Sequence, residues 1–132
     1  MKKITLLILL MFSTNALAEW TIATISSDFS GSVYVDFGTI KKKGHKVKMW
    51  SLFDFTSVHT YAEDNTRYLS QMGRYEYDCE EETSRQLDLY SYSGNMRQGD
   101  IVWSSRNIKD EPESIVPESI QEELFNIACG KK

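Results

Sequence analysis

Tyr75-Glu76-Tyr77-Asp78-Cys79 is the stretch that decides the fold. It alternates between ring or thiol side chains and acidic ones. A period of two sends Tyr75, Tyr77 and Cys79 to one face of a β-strand, and Glu76, Asp78 and Glu80 to the other. The only other cysteine, Cys129, closes a segment with a different period. At about 100° per residue, Ile120, Leu124, Phe125, Ile127 and Ala128 fill an arc of roughly 160° on a helix. Cys129 falls beside Phe125, about 40° beyond that arc, a gap that a frayed last turn absorbs. A helix laid on the face of Tyr75 and Tyr77 therefore brings Cys129 to Cys79.

Working outward, the chain reads as six strands before that helix. The first covers residues 20–26, with a turn at 27–31. The second, 32–40, puts Val33, Val35 and Phe37 on one face and Tyr34 on the other. Lys41-Lys42-Lys43-Gly44 reads as a turn, because glycine takes positive φ without steric cost. Residues 46–53 form a third strand, with Val47, Met49 and Phe53 opposed to Trp50 and Leu52. Residues 54–66 lack a period and read as the longest loop. Strands at 68–79, 85–93 and 101–105 follow, and 109–113 reads as a linker. Short connections favour an antiparallel meander. In the helix, Pro117 suits the first turn, Ser119 and Glu122 suit a capping box, and Gly130 suits the C-terminus. The expected fold class is α+β: an antiparallel sheet of about six strands with one C-terminal helix packed on one face.

The N-terminal residues carry a different message. Met1-Lys2-Lys3 is a positive head, residues 4–12 are apolar apart from Thr5, and Ala16-Leu17-Ala18 ends a small-residue segment. These are the three parts of a cleavable secretory signal. Nine helical residues rise only about 14 Å, about half the hydrocarbon core, so a membrane anchor fits less well. The expectation is a signal peptide at 1–18, a single domain at 19–132, and export to the periplasm, cell surface or medium. No cysteine follows the cleavage site to carry a lipid. Removing Lys2 and Lys3 leaves 13 basic against 19 acidic residues, a net charge of −6. Such a balance argues against a general nucleic-acid binder.

Two cysteines in an exported chain imply a disulfide, Cys79 to Cys129. Closing a loop of that length is worth ~4 kcal/mol in the chain-entropy picture. An intermolecular bridge or a metal pair are the alternatives. A metal requires further ligands, and His45 and His59 lie far from both cysteines and form no ligand motif.

Catalytic patterns are missing: no G-x-S-x-G, no H-E-x-x-H and no phosphate-cradling glycine loop. His45, in a basic turn, and His59, in the expected loop, read as solvated. Glu80-Glu81-Glu82 reads as a solvated hairpin tip, since calcium loops space their acidic ligands around a glycine. One local charge concentration remains: Lys41, Lys42, Lys43, His45, Lys46 and Lys48. It reads either as a contact for a sulfated glycan, lipid head group or acidic protein, or as a solvated turn whose lysines guard a strand edge. Tyr34, Trp50, Tyr90 and Tyr92 fall on the face away from the helix, where self-association is one outcome.

Several segments together resemble the surface-adhesin protein E family. They are Trp20, Val33-Tyr34-Val35-Asp36, Gly44, Val47-Lys48-Met49-Trp50-Ser51-Leu52, Tyr75-Glu76-Tyr77-Asp78-Cys79, Gly99-Asp100-Ile101-Val102, Ile115-Val116-Pro117-Glu118-Ser119-Ile120 and Cys129. The resemblance implies an antiparallel sheet with its helix held across it by the disulfide. It implies a non-enzymatic, adhesin-like protein of a Gram-negative envelope with a role in virulence. It further implies possible homodimers and binding of host extracellular-matrix proteins such as laminin and vitronectin, or of plasminogen. No cofactor is required, although haem is a further association of the family. A periplasmic inhibitor or accessory protein is the rival class.

Overall fold

A computed structural model describes residues 19–26, 30–108 and 110–131. The expected signal segment at 1–18 lies outside the described residues, as do the centre of the expected turn at 27–31, Lys109 and Lys132. The strands are β1 (Thr21–Ser26), β2 (Gly31–Val35), β3 (Lys41–Lys43), β4 (Lys46–Thr60), β5 (Arg67–Asp78), β6 (Thr83–Tyr92), β7 (Ile101–Ser105) and β8 (Glu113–Ser114). The helix α1 spans Ile120–Cys129. All pairs are antiparallel, in the order β1-β2-β4-β5-β6-β7. The meander and its C-terminal helix are as the sequence reads.

The strand count is not: eight strands are described, against about six expected. The sheet nevertheless has six lanes. β2 pairs with β4 at residues 51–55 and β3 pairs with it at 46–48, so both lie along the same edge of β4. Between them, Asp36 N–H donates to Trp50 O at 3.4 Å, and Trp50 N–H donates to Thr39 Oγ1 at 3.1 Å. β7 and β8 share the outer edge of β6 in the same way. There Ile108 N–H donates to Leu87 O at 2.8 Å, bridging the gap. These bonds give partners to backbone groups that the gaps between strand pieces would otherwise leave open.

Three local expectations are also corrected. Lys41–Lys43 are strand rather than turn, and the turn is Gly44-His45, closed by the Lys43–Lys46 pair. Gly44 alone has positive φ there, +62°, the pattern of a II′ hairpin. Phe37 does not continue β2; it starts a short 3-10 turn and is half exposed. Residues 54–60 continue β4 rather than opening a long loop. A register shift between Asp54 and His59 breaks the alternation that marks a strand.

The helix covers the face that carries Tyr75, Tyr77 and Cys79. Val33, Val35, Val47, Met49 and Tyr77 from the sheet meet Leu124, Phe125 and Ala128 from the helix in one buried cluster. Gly73 makes room for this arrangement, since a Cβ there would lie 2.8 Å from the Tyr75 ring. Ser119 caps the helix by accepting the Glu122 N–H at 3.2 Å. The reciprocal half of a capping box is displaced: Glu122 Oε1 accepts from Glu118 N–H, and Pro117 precedes the helix. Gly130, with φ +67°, ends it, and Lys131 N–H returns to Asn126 O at 2.8 Å. Cys79 and Cys129 form the disulfide, with their Cα atoms 5.8 Å apart.

Three outcomes follow from this packing. Leu124→Ala, at a side chain with no exposed surface, is expected to lower unfolding free energy by about 2–5 kcal/mol in urea titration. Replacing both cysteines with alanine is expected to cost ~4 kcal/mol, with amide exchange rising first in the helix. Burial under the helix pushes the Tyr75 hydroxyl up to about 12 and that of Tyr77 higher still. Unfolded tyrosines ionise near pH 10, so this contribution is complete below that pH and declines as pH rises from 10 through 12. Tyr75→Phe should flatten the fall in stability over that window; an unchanged alkaline slope would refute the assignment.

Candidate functional site

The β3–β4 hairpin carries the basic cluster. Lys41 is paired with Lys48, and Lys43 with Lys46, so these four side chains leave the same face of the sheet, the one away from the helix. Lys42, opposite Val47, starts from the other face. Continuing across the open face, Lys48 lies opposite Glu76 and Glu76 opposite Arg85. The parallel row runs Lys43, Lys46, Asp78, Thr83. The five lysines and Glu76 line a depression of about 350 Å³.

Little charge of the opposite sign reaches these lysines. Lys46 Nζ is 4.0 Å from Glu76 Oε1, and the same oxygen accepts from Arg85 Nε at 3.0 Å. Among the described residues no carboxylate lies within 4 Å of Lys41, Lys42, Lys43 or Lys48. Asp78, the other acid on this side, is engaged at the hairpin end. Its Oδ1 accepts the N–H groups of Glu81 and Glu80 at 3.0 and 3.1 Å. The Glu81 bond chiefly holds its carboxyl below the ordinary range, with Glu80, His45 and Lys46 adding to the effect.

His45 does not join the lysines around the depression. Its ring sits between Asp78 at 3.4 Å and Glu80 at 3.5 Å, and its carbonyl accepts the Cys79 N–H at 2.8 Å. It ties the hairpin turn to the disulfide corner. Lys131 does the same from the helix end, reaching Cys79 O at 3.3 Å and Glu82 at 3.8 Å. Among the described residues no group of three or more His, Cys, Asp or Glu is arranged to hold a metal ion.

The open face is less aromatic at its surface than the alternation alone suggests. Arg74 lies 5.7 Å from the Trp50 ring and its Nε donates to buried Asp88 at 2.6 Å. Tyr92 is only 5% exposed, with the Arg97 guanidinium 5.6 Å from its ring. The loop that carries Arg97 is pinned onto the sheet. Met96 N–H donates to Asp54 at 2.8 Å and Arg97 N–H to Ser70 Oγ at 3.0 Å. Met96 and Arg97 both have positive φ, a conformation that costs energy in non-glycine residues and that these bonds offset.

A second cluster escaped the sequence reading. His59, expected to be solvated, packs against Phe55 in a tilted pair with ring centroids 4.0 Å apart and lies 5.7 Å from Tyr68. Tyr61 links Tyr68 at 4.7 Å to Trp103 at 5.4 Å, and shares a 2.7 Å hydrogen bond with Ser91. These rings sit at the far end of β4 and β5. Burial, with neighbouring Tyr61, raises the Tyr68 hydroxyl above its usual value. The aromatic residues themselves were the only signal; the irregular register hid their common face.

With the geometry in hand, the chain can be placed among known proteins. The family model of surface-adhesin protein E matches residues 20–130. The structure of Haemophilus influenzae protein E superposes with a TM-score of 0.54 at 16% identity, over 74% of this chain and 76% of that one. A second crystal form of that protein gives 0.55, over 74% and 80%. Protein E from non-typeable Haemophilus influenzae gives 0.52, over 87% and 76%. Comparison with curated proteins gives no match. At 16% identity the structural likeness is one of fold, while the family model spans nearly all the described residues. The chain belongs to the surface-adhesin protein E family.

Proposed function

We propose that this chain is a non-enzymatic, adhesin-like binding protein, exported to the envelope surface of a Gram-negative bacterium. Its partners are extracellular-matrix proteins such as laminin and vitronectin, or plasminogen. The lysine hairpin is the contact that meets their negative charge. The family supports the adhesin class. The observation that carries the contact is the set of four amines on one face, of which only that of Lys46 has a carboxylate within 4.0 Å among the described residues. Unscreened charge of one sign speeds encounter with an oppositely charged partner and makes binding sensitive to salt.

Two measurements test the reading. The chain from Glu19 onward should bind at least one of immobilised laminin, vitronectin and plasminogen saturably at physiological ionic strength; no binding to any of them would sink the proposal. Replacing Lys41, Lys43, Lys46 and Lys48 with alanine should weaken that binding and flatten its dependence on salt. The same affinity and salt slope in the variant would move the contact elsewhere. An antibody against the chain should label intact cells, because an adhesin must be reachable from outside.

A further inference from the structure

We propose that the depression on the β3–β4 hairpin binds a sulfated polysaccharide chain. The inference rests on the reading of this hairpin as the contact surface and names the chemistry that fills it. Its starting point is the register. Lys41 faces Lys48 and Lys43 faces Lys46 directly across the hairpin. Like charges in such pairs destabilise a sheet, and an opposite charge at either position would remove the cost.

Edge protection accounts for only part of this. Lysines on an outer strand discourage pairing with another chain, and β3 has no described strand beyond it. Lys46 and Lys48 are on β4, between β3 and β5, where no edge needs guarding. The whole chain is acidic, with a formal charge of −4, so the cluster does not reflect general composition either. Lys46 and Lys48 each have an acid opposite on β5, Asp78 and Glu76, but Asp78 accepts the Glu80 and Glu81 N–H groups and Glu76 accepts from Arg85, so an anionic ligand supplies the charge that Lys41 and Lys43 lack.

The lining selects among anions. The depression is walled by Lys41, Lys42, Lys43, Lys46, Lys48 and Glu76, with no aromatic or aliphatic residue. Lysine presents a compact hydrated charge on a flexible stem, which suits negative groups spaced along a chain rather than one fixed fork. A flat lipid surface would touch the rim of a depression, whereas a polysaccharide chain enters it. Glu76 also lines it, with Oε1 accepting from Arg85 at 3.0 Å and standing 4.0 Å from the Lys46 amine. A ligand with hydroxyl donors beside its sulfates meets both features.

Heparin is the probe. The chain from Glu19 onward should bind heparin by calorimetry at physiological salt, with affinity falling steeply as salt rises, and chemically desulfated heparin should not compete. The pair Lys41→Ala and Lys48→Ala should weaken binding by about thirty-fold. Lys48→Arg, which keeps the charge, should retain it. Arg67→Ala, at an exposed site at the opposite end of β5, should leave it unchanged. Unaltered circular dichroism will separate lost contact from lost fold. No heparin binding, equal binding of desulfated heparin, no effect of the lysine pair, or tighter binding to phosphatidylserine vesicles or polyglutamate would each overturn the assignment. Binding to laminin, vitronectin or plasminogen without heparin overturns this inference alone. Binding to heparin without any of the three overturns the protein partners alone.

Discussion

A ten-residue helix packed across one face of the sheet is the interaction on which the rest depends. A helix of that length is marginal in water by itself, because nucleation costs more than a few hydrogen bonds return. It persists here because Leu124, Phe125 and Ala128 enter the cluster around Tyr77 and Met49. The disulfide at its last turn keeps it in place by limiting the states of the unfolded chain. That covering commits the other face of the same strands to solvent or to a partner. The polarity of each β4 side chain follows: Val47 and Met49 are buried under the helix, while Lys46 and Lys48 leave from the opposite side.

Two split lanes show how a short chain completes a wide sheet. β2 and β3 share one edge of β4, and β7 and β8 share one edge of β6. Side chains or backbone groups from the joints fill the gaps between strand pieces. The split of the second lane lets the hairpin of lysines extend beyond the turn at Phe37–Thr39. It also separates the basic end of the sheet from the end that holds Phe55, His59, Tyr61, Tyr68 and Trp103.

Those two ends differ in physical character. The lysine end is rich in positive charge, so its contacts are sensitive to ionic strength. The aromatic end is a chain of ring contacts joined to Gln71 and Ser91 by hydrogen bonds. No helix among the described residues is long and apolar enough to cross a membrane. Membership of an adhesin family gives the class of protein; the charge distribution says which surface presents the more distinctive chemistry.

Local patterns were the legible part. Alternation at 75–79 identifies a half-buried strand, a 3.6-residue period identifies the helix, and two cysteines leave one intrachain pairing. The lysine cluster is equally visible, because its members are neighbours in the chain. Register is not legible, since it depends on partners many residues away and a single bulge inverts which face a side chain takes. The shift between Asp54 and His59 disguised seven strand residues as loop and hid the setting of His59. Sequence by itself therefore determined the class of fold, the bridge and the basic segment. Only the tertiary structure decided that Lys41 opposes Lys48, that Lys43 opposes Lys46, and that the acids facing the β4 lysines, Asp78 and Glu76, are already engaged. Cross-strand pairing, not composition, sets which charges meet.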